Sequence, residues 1–193
     1  MPAIPRRLML ALTLGLLAAC GGRDSLDDPP VDLGNFRLGL NVVVTDNMQK
    51  VPISRDATGE EWQEALKKAV QDRFGRYEGD KFFNIGIAVD GYALAPPGIP
   101  VVAAPKSILV ISVAVFDDAA QAMLNEGGKG HQITAFEELS GDTVIGSGLT
   151  RTREQQMESL AFAAVRKIEE YLRDNPTWFG LPPKRRGADD PAP

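Results

Sequence analysis

From Ser107 to Phe116 the chain reads Ser-Ile-Leu-Val-Ile-Ser-Val-Ala-Val-Phe, with Ser112 the one polar residue inside the run. A strand with one wet face alternates apolar and polar residues. A run that is apolar on both parities belongs to the middle of a sheet. This stretch therefore reads as the central strand, ended by Asp117-Asp118, and the rest of the chain must supply its neighbours.

Two further segments supply strands. Phe36, Leu38, Leu40, Val42 and Val44 share one parity, with Arg37, Gly39, Asn41 and Val43 on the other, which predicts a half-buried strand. From Lys81 to Leu94, Phe83, Ile85, Ile87 and Val89 share a face. Opposite them lie Asn84, Gly86, Ala88 and Asp90, small enough for a close neighbour. Asp90-Gly91 suits a hairpin turn or a bulge, because the pattern resumes at Tyr92. Residues 119–125 return as a strand or a short helix. Gln132 to Leu139 and Asp142 to Gly148 read as two more strands around Ser140-Gly141.

Two segments carry helical periodicity. Thr58 with Glu61 forms a capping box, followed by an apolar stripe of Trp62, Leu66, Ala69, Val70, Phe74 and Tyr77, with Gly79 as the stop. Thr152 with Gln155 repeats the device. Met157, Leu160, Ala161, Ala164, Val165, Ile168 and Tyr171 then form a stripe that Asn175-Pro176 ends. Glu158, Glu169 and Glu170 fall on the polar side of that helix, and the adjacent aromatics Trp178 and Phe179 are expected to fold back on the body. The fold class is α+β: two helices on one face of a mostly antiparallel four- to five-stranded sheet, a two-layer sandwich.

The N-terminus is organised differently. Arg6-Arg7 precede an apolar run from Leu8, interrupted only by Thr13 and Gly15, that ends in Leu17-Ala18-Ala19-Cys20. A short basic region, a short apolar core and small residues before a cut form an export signal. The run falls short of the roughly 20 residues needed to span a bilayer. Cys20 is the single cysteine, so no internal disulfide can form. The boundaries that follow are 1–19 as leader, 20–34 as a flexible tether rich in Gly, Pro and Asp, 35–180 as one domain, and 181–193 as a disordered tail.

Leu17-Ala18-Ala19-Cys20, followed by Gly21-Gly22, closely resembles the lipobox of bacterial lipoproteins. The resemblance implies cleavage before Cys20, acylation of that residue including palmitate, and anchoring to the membrane through its acyl chains. Gly21 rather than Asp after the cysteine, by the same resemblance, implies the periplasmic face of the outer membrane. The order of elements over about Phe36 to Leu172 resembles the α/β domains of Gram-negative envelope lipoproteins. Among these are the lipoprotein of lipopolysaccharide assembly, the curli-secretion lipoprotein and activators of penicillin-binding proteins. The chain accordingly looks like an uncharacterised α/β envelope lipoprotein family.

Motifs for chemistry are sparse. A single histidine, His131, follows a glycine-rich turn, so a multi-histidine metal site is excluded and no metal or cofactor is expected. Asp117-Asp118 and Glu137-Glu138 are adjacent on strands and point to opposite faces, so neither pair converges on one atom. Gly146-Ser147-Gly148 lacks the spacing of a nucleophile elbow or a phosphate loop. The formal charge of −5, made more negative by two when Arg6 and Arg7 leave, argues against nucleic acid as a partner. No catalytic residue is assigned.

The remaining feature is the proline-rich, apolar stretch from Tyr92 to Pro105. Such a stretch either packs on its own sheet or meets another envelope protein, with Tyr92, Leu94, Pro97, Ile99, Val101 and Val102 as docking residues. The expected role is a non-enzymatic binding or envelope-assembly function. An alternative is a small-molecule or lipid-binding module with Phe83, Tyr92 and Phe116 lining a cavity between helices and sheet. A third is a hydrolase built on scattered Asp, Glu and Ser147.

Overall fold

The computed structural model describes residues 26–97, 107–137 and 151–184. The chain forms β1 (Phe36–Val44), β2 (Gln49–Lys50), α1 (Gly59–Phe74), β3 (Lys81–Ala93), β4 (Ile108–Asp117), β5 (Ala122–Met123), β6 (His131–Phe136) and α2 (Arg153–Asp174). Four long strands and two of two residues make one sheet. β1 and β2 share one edge beside β3, β4 follows, and β5 and β6 share the other edge. The β3–β4, β4–β5 and β4–β6 ladders are antiparallel, whereas β1 and β2 run parallel to β3. A parallel neighbour needs a crossover, and α1 supplies it between β1 and β3. The architecture is the expected α+β arrangement, with β2 and β5 raising the strand count among the described residues to six. The expected strand from Asp142 to Gly148 lies outside the described residues.

Both helices start where the sequence says. The Thr58 hydroxyl accepts from the Glu61 N–H and the Glu61 carboxylate accepts from the Thr58 N–H; Thr152 and Gln155 do the same for α2. α1 ends earlier than expected, at Gly75, whose N–H donates to the Gln71 carbonyl. Gly79 has another task. A Cβ there would stand 2.5–2.6 Å from the Asn35–Phe36 backbone, so a bare backbone is required where the loop after α1 passes the start of β1.

The core lies between the helix layer and one face of the sheet. Phe36 stacks on Phe83 at 5.5 Å between ring centroids and meets Phe74, Tyr77 and Phe179 at 5.4–5.8 Å. Each fully buried aromatic contributes about 2–3 kcal/mol of transfer free energy. Phe179 is buried as expected, and Trp178 packs edge-on against Tyr171. The expected tether is docked on the body from Leu26 onward. Leu33 is buried in the core, and Arg76 donates to the carbonyls of Leu26 and Asp28 at 2.7 and 2.8 Å.

One expectation fails in β1. Leu38 pairs with Phe83, but Asn41 pairs with Ile85, so β1 spends three steps where β3 spends two. The resulting bulge reverses the parity that faces the core. Phe36 and Val43 are buried, and Asn41 points inward, donating to the Lys67 carbonyl at 2.8 Å. Leu40, Val42 and Val44, expected beneath the helices, are exposed instead. Gly39 and Asn84 build the bulge. The Asn84 Oδ1 accepts the Leu40 N–H at 2.7 Å, in space that a Cβ on residue 39 would occupy.

Candidate functional site

Both helices pack on the same side of the sheet, which leaves its other face without a layer of described residues. On β3 that face carries Phe82, Asn84, Gly86, Ala88 and Asp90, alternating with buried Phe83, Ile85, Ile87 and Val89. On β4 it carries Ile108, Val110, Ser112, Ala114 and Phe116, between buried Leu109, Ile111, Val113 and Val115. The bulge adds Val42 and Val44 from β1, and β6 adds Phe136.

The relief of this face is uneven. Gly86 and Ala88 lie beside Ala114 and Ser112, forming a low centre. Around it stand Leu40 and Val42 at 65% and 48% exposure, Phe82 at 48%, Phe116 at 38% and Phe136 at 50%. The guanidinium of Arg37 lies 5.5 Å above the Phe82 ring, and Asp90 accepts from the Ser112 hydroxyl at 2.7 Å. Exposed apolar side chains thus cluster on this face, the kind of surface that proteins use for contacts.

A second concavity, of about 600 Å³, runs between α1 and α2. Leu26, Ala65, Ala69, Met157 and Phe162 line it, together with carboxylates from both helices. Beside it lies a buried polar cluster. The Arg73 guanidinium donates to Glu169 Oε2 at 2.7 Å, the Tyr77 hydroxyl donates to Glu169 Oε1 at 2.7 Å, and Arg73 covers the Phe162 ring at 4.9 Å. Burial, followed by the hydrogen bond to Glu169, raises the pKa of the Tyr77 hydroxyl well above its ordinary value. Glu169, expected on the polar side of α2, is thus interior, and Arg73 was not foreseen as a core residue.

The residues singled out by the sequence are dispersed. Tyr92 and Leu94 are core residues at 2% and 0% exposure, not docking residues, because β3 continues through Ala93 and leads both into the core. The Tyr92 ring packs on Trp62, and its hydroxyl bonds the backbone of Ala57. Pro97 is exposed, and Ile99, Val101 and Val102 lie outside the described residues, as do Cys20, Glu138 and Ser147. Phe83 and Tyr92 face the helices, whereas Phe116 stands on the opposite face of the sheet, so the three cannot line one cavity.

The polar candidates also stay apart. Asp117 accepts from the Ala120 N–H and Asp118 from the Asn84 side chain. Glu137 is buried and bonded to Arg151 at 3.1 Å. His131 opens β6, exposed, with its ring flat against Tyr171 at 3.9 Å. Among the described residues no group of three or more His, Cys, Asp or Glu is placed to hold a metal ion, and no helix is long and apolar enough to cross a membrane.

No family model matches the chain, and no curated protein matches it. Solved structures with a related arrangement include a candidate lipoprotein from Caulobacter crescentus, 16% identical, covering 69% of this chain and 91% of that one with a TM-score of 0.34. A PelC dodecamer from Paraburkholderia phytofirmans is 12% identical over 72% of this chain and 89% of its own, with a TM-score of 0.37. A minor lipoprotein from Acinetobacter baumannii is 13% identical over 68% and 93%, with a TM-score of 0.26. At such scores the chain's function has to be read from its own residues.

Proposed function

We propose that the protein is an envelope lipoprotein, held on the periplasmic face of the outer membrane by acyl chains on Cys20, with a non-enzymatic binding or assembly role. The observation that carries this reading is Leu17-Ala18-Ala19-Cys20 itself, a few residues before a backbone segment held against the body. Arg76 clamps the backbone at Leu26 and Asp28, and Leu26 is six positions after Cys20. Six residues reach at most about 20 Å. A lipidated Cys20 therefore keeps the domain against the bilayer, where its binding surfaces meet other envelope components at high effective concentration. One acyl chain holds a protein marginally, and two or more hold it stably at about 0.8 kcal/mol per buried methylene.

The test compares wild-type protein with Cys20→Ser in cells fed an alkyne palmitate analogue. Wild type incorporates label and sediments with outer membranes, and Cys20→Ser does neither while keeping its fold. Equal labelling and sedimentation of the variant would overturn the reading.

A second reading, a lipid-binding module, draws on the concavity between α1 and α2. Its volume of about 600 Å³ lies within the usual range for ligand sites. Leu26 lines it, so an acyl chain is the ligand within reach of the N-terminal segment. Displacement of a fluorescent fatty acid, abolished by Ala69→Phe, would support this reading. No saturable binding would remove it.

A further inference from the structure

The sequence of β4 requires cover on both faces, and the described fold covers one. The same conflict recurs in β1, where Val43 is buried while Leu40, Val42 and Val44 on either side of it stand in water. We propose that a second copy of this chain covers the open face, in a two-fold dimer with the sheets packed face to face and the helix layers outermost.

Three properties of the face favour a second copy. The first is extent. β4 is ten residues long and lies in a sheet about four strands wide. At about 3.3 Å per residue and 4.8 Å per strand, that is on the order of 600 Å² in plan, the same order as the roughly 800 Å² per partner of a stable interface.

The second is charge. Arg37 is in register with Phe82, four residues before Gly86, and Asp90 lies four residues after Gly86 on the same face. A two-fold axis running across the strands over Gly86 reverses the strand direction. It brings Arg37 of each copy level with Asp90 of the other, one strand column away. The face is thus self-complementary, as an isologous contact demands. The rest of its centre is apolar or small except Asn84 and Ser112, whose side chains are already bonded within the sheet.

The third is relief. Val42 is in register with Gly86, so the same axis places Val42 of one copy over Val42 of its partner, with the low centre formed by Gly86, Ala88 and Ala114 alongside. Sheets packed in this way stand about 10 Å apart, a spacing that valine side chains from both sides fill.

The test uses the full-length, membrane-anchored chain in intact cells. Val42→Cys, treated with a short bis-maleimide, should yield a product of twice the monomer mass. Wild type, whose single cysteine is Cys20, and Glu170→Cys on the outer helix surface should not. Gly86→Leu begins with room on its own sheet, since a Cβ there meets Ala114 at ordinary contact distances of 3.8 and 3.9 Å. In the Val42→Cys background it should lower the yield about tenfold by pushing the partner sheet away. Arg37→Glu and Asp90→Arg should each lower the yield, and the two combined should restore it.

A missing Val42→Cys product, a product with a different protein, equal crosslinking of Glu170→Cys, a yield indifferent to Gly86→Leu, or a charge swap that fails to restore the yield would each overturn the proposal.

Discussion

Arg73 on α1 and Glu169 on α2 form an ion pair at 2.7 Å with 2% and 8% of their side chains exposed. Two buried charges are tolerable when each is neutralised and its remaining polar atoms are engaged, and Tyr77 takes the second carboxylate oxygen. Removing one partner strands the other. Arg73→Met should cost about 3–5 kcal/mol in urea denaturation, whereas Arg73→Met with Glu169→Leu should recover part of that loss, the Tyr77 hydroxyl then lacking its acceptor. Equal costs for the single and double variants would show that the pair does not lock the helices together.

Tyr77 gives that cluster a pH signature. Its folded-state pKa is raised, first by burial and then by its bond to Glu169. The unfolded chain releases the proton near 10.0 while the folded chain keeps it. The stabilisation is whole below that pH and falls away as pH rises above it, by at most about 1.4 kcal/mol per pH unit. Tyr171, raised mainly by desolvation, contributes in the same direction. Denaturation midpoints from pH 8 to 11 should fall in wild type above pH 10.0, and Tyr77→Phe should flatten most of that fall.

The bulge in β1 rests on a side-chain acceptor and a missing Cβ. With Asn84 Oδ1 only 2.4 Å from the Cβ position of residue 39, Gly39→Ala should cost about 1–3 kcal/mol. Hydrogen exchange should then accelerate at the Leu40 amide before the β3–β4 ladder is affected. Unchanged protection there would mean that the bulge forms without this contact.

Asn125 stitches the turn before β6 to β4. Its Oδ1 accepts the Val115 N–H at 2.7 Å, and its Nδ2 donates to the Val113 carbonyl and the Tyr171 hydroxyl. Asn125→Ala leaves a buried backbone N–H and carbonyl without these partners, at a cost of about 1–3 kcal/mol. Asn125→Asp, protonated below pH 4, keeps the acceptor and offers one donor hydrogen in place of two, so its midpoint there should fall between alanine and wild type. A variant series with no loss would contradict the buried network.

The helices were legible because their signals are local. A capping residue, an acceptor three positions on and a 3.6-residue stripe lie within one segment of α1 and again of α2. β3 and β4 were legible for the same reason. The face of β1 was not, because parity is read from one strand while the bulge is made with a second: Asn84 is 44 positions from Leu40. Glu169 reads as a solvated charge on α2, and its partner Arg73 lies 96 residues away on another helix, where no local signal marks it. The candidate surface was half legible. The two-sided apolar pattern of β4 marks a central strand, but the placement of Phe116 away from Phe83 and Tyr92 depends on which face the helices take. Tyr92 and Leu94 were assigned to a docking loop because the proline-rich stretch begins beside them, whereas the strand runs through to Ala93.

The anchoring that underlies the proposed function is tested most directly by the mass of the N-terminal peptide from membrane-purified protein. The expected peptide begins at Cys20, with its sulfur carrying a diacylglyceryl group and its mass raised by the acyl chains. A peptide that begins at Met1, or one in which Cys20 reacts with maleimide as an ordinary thiol, would contradict it.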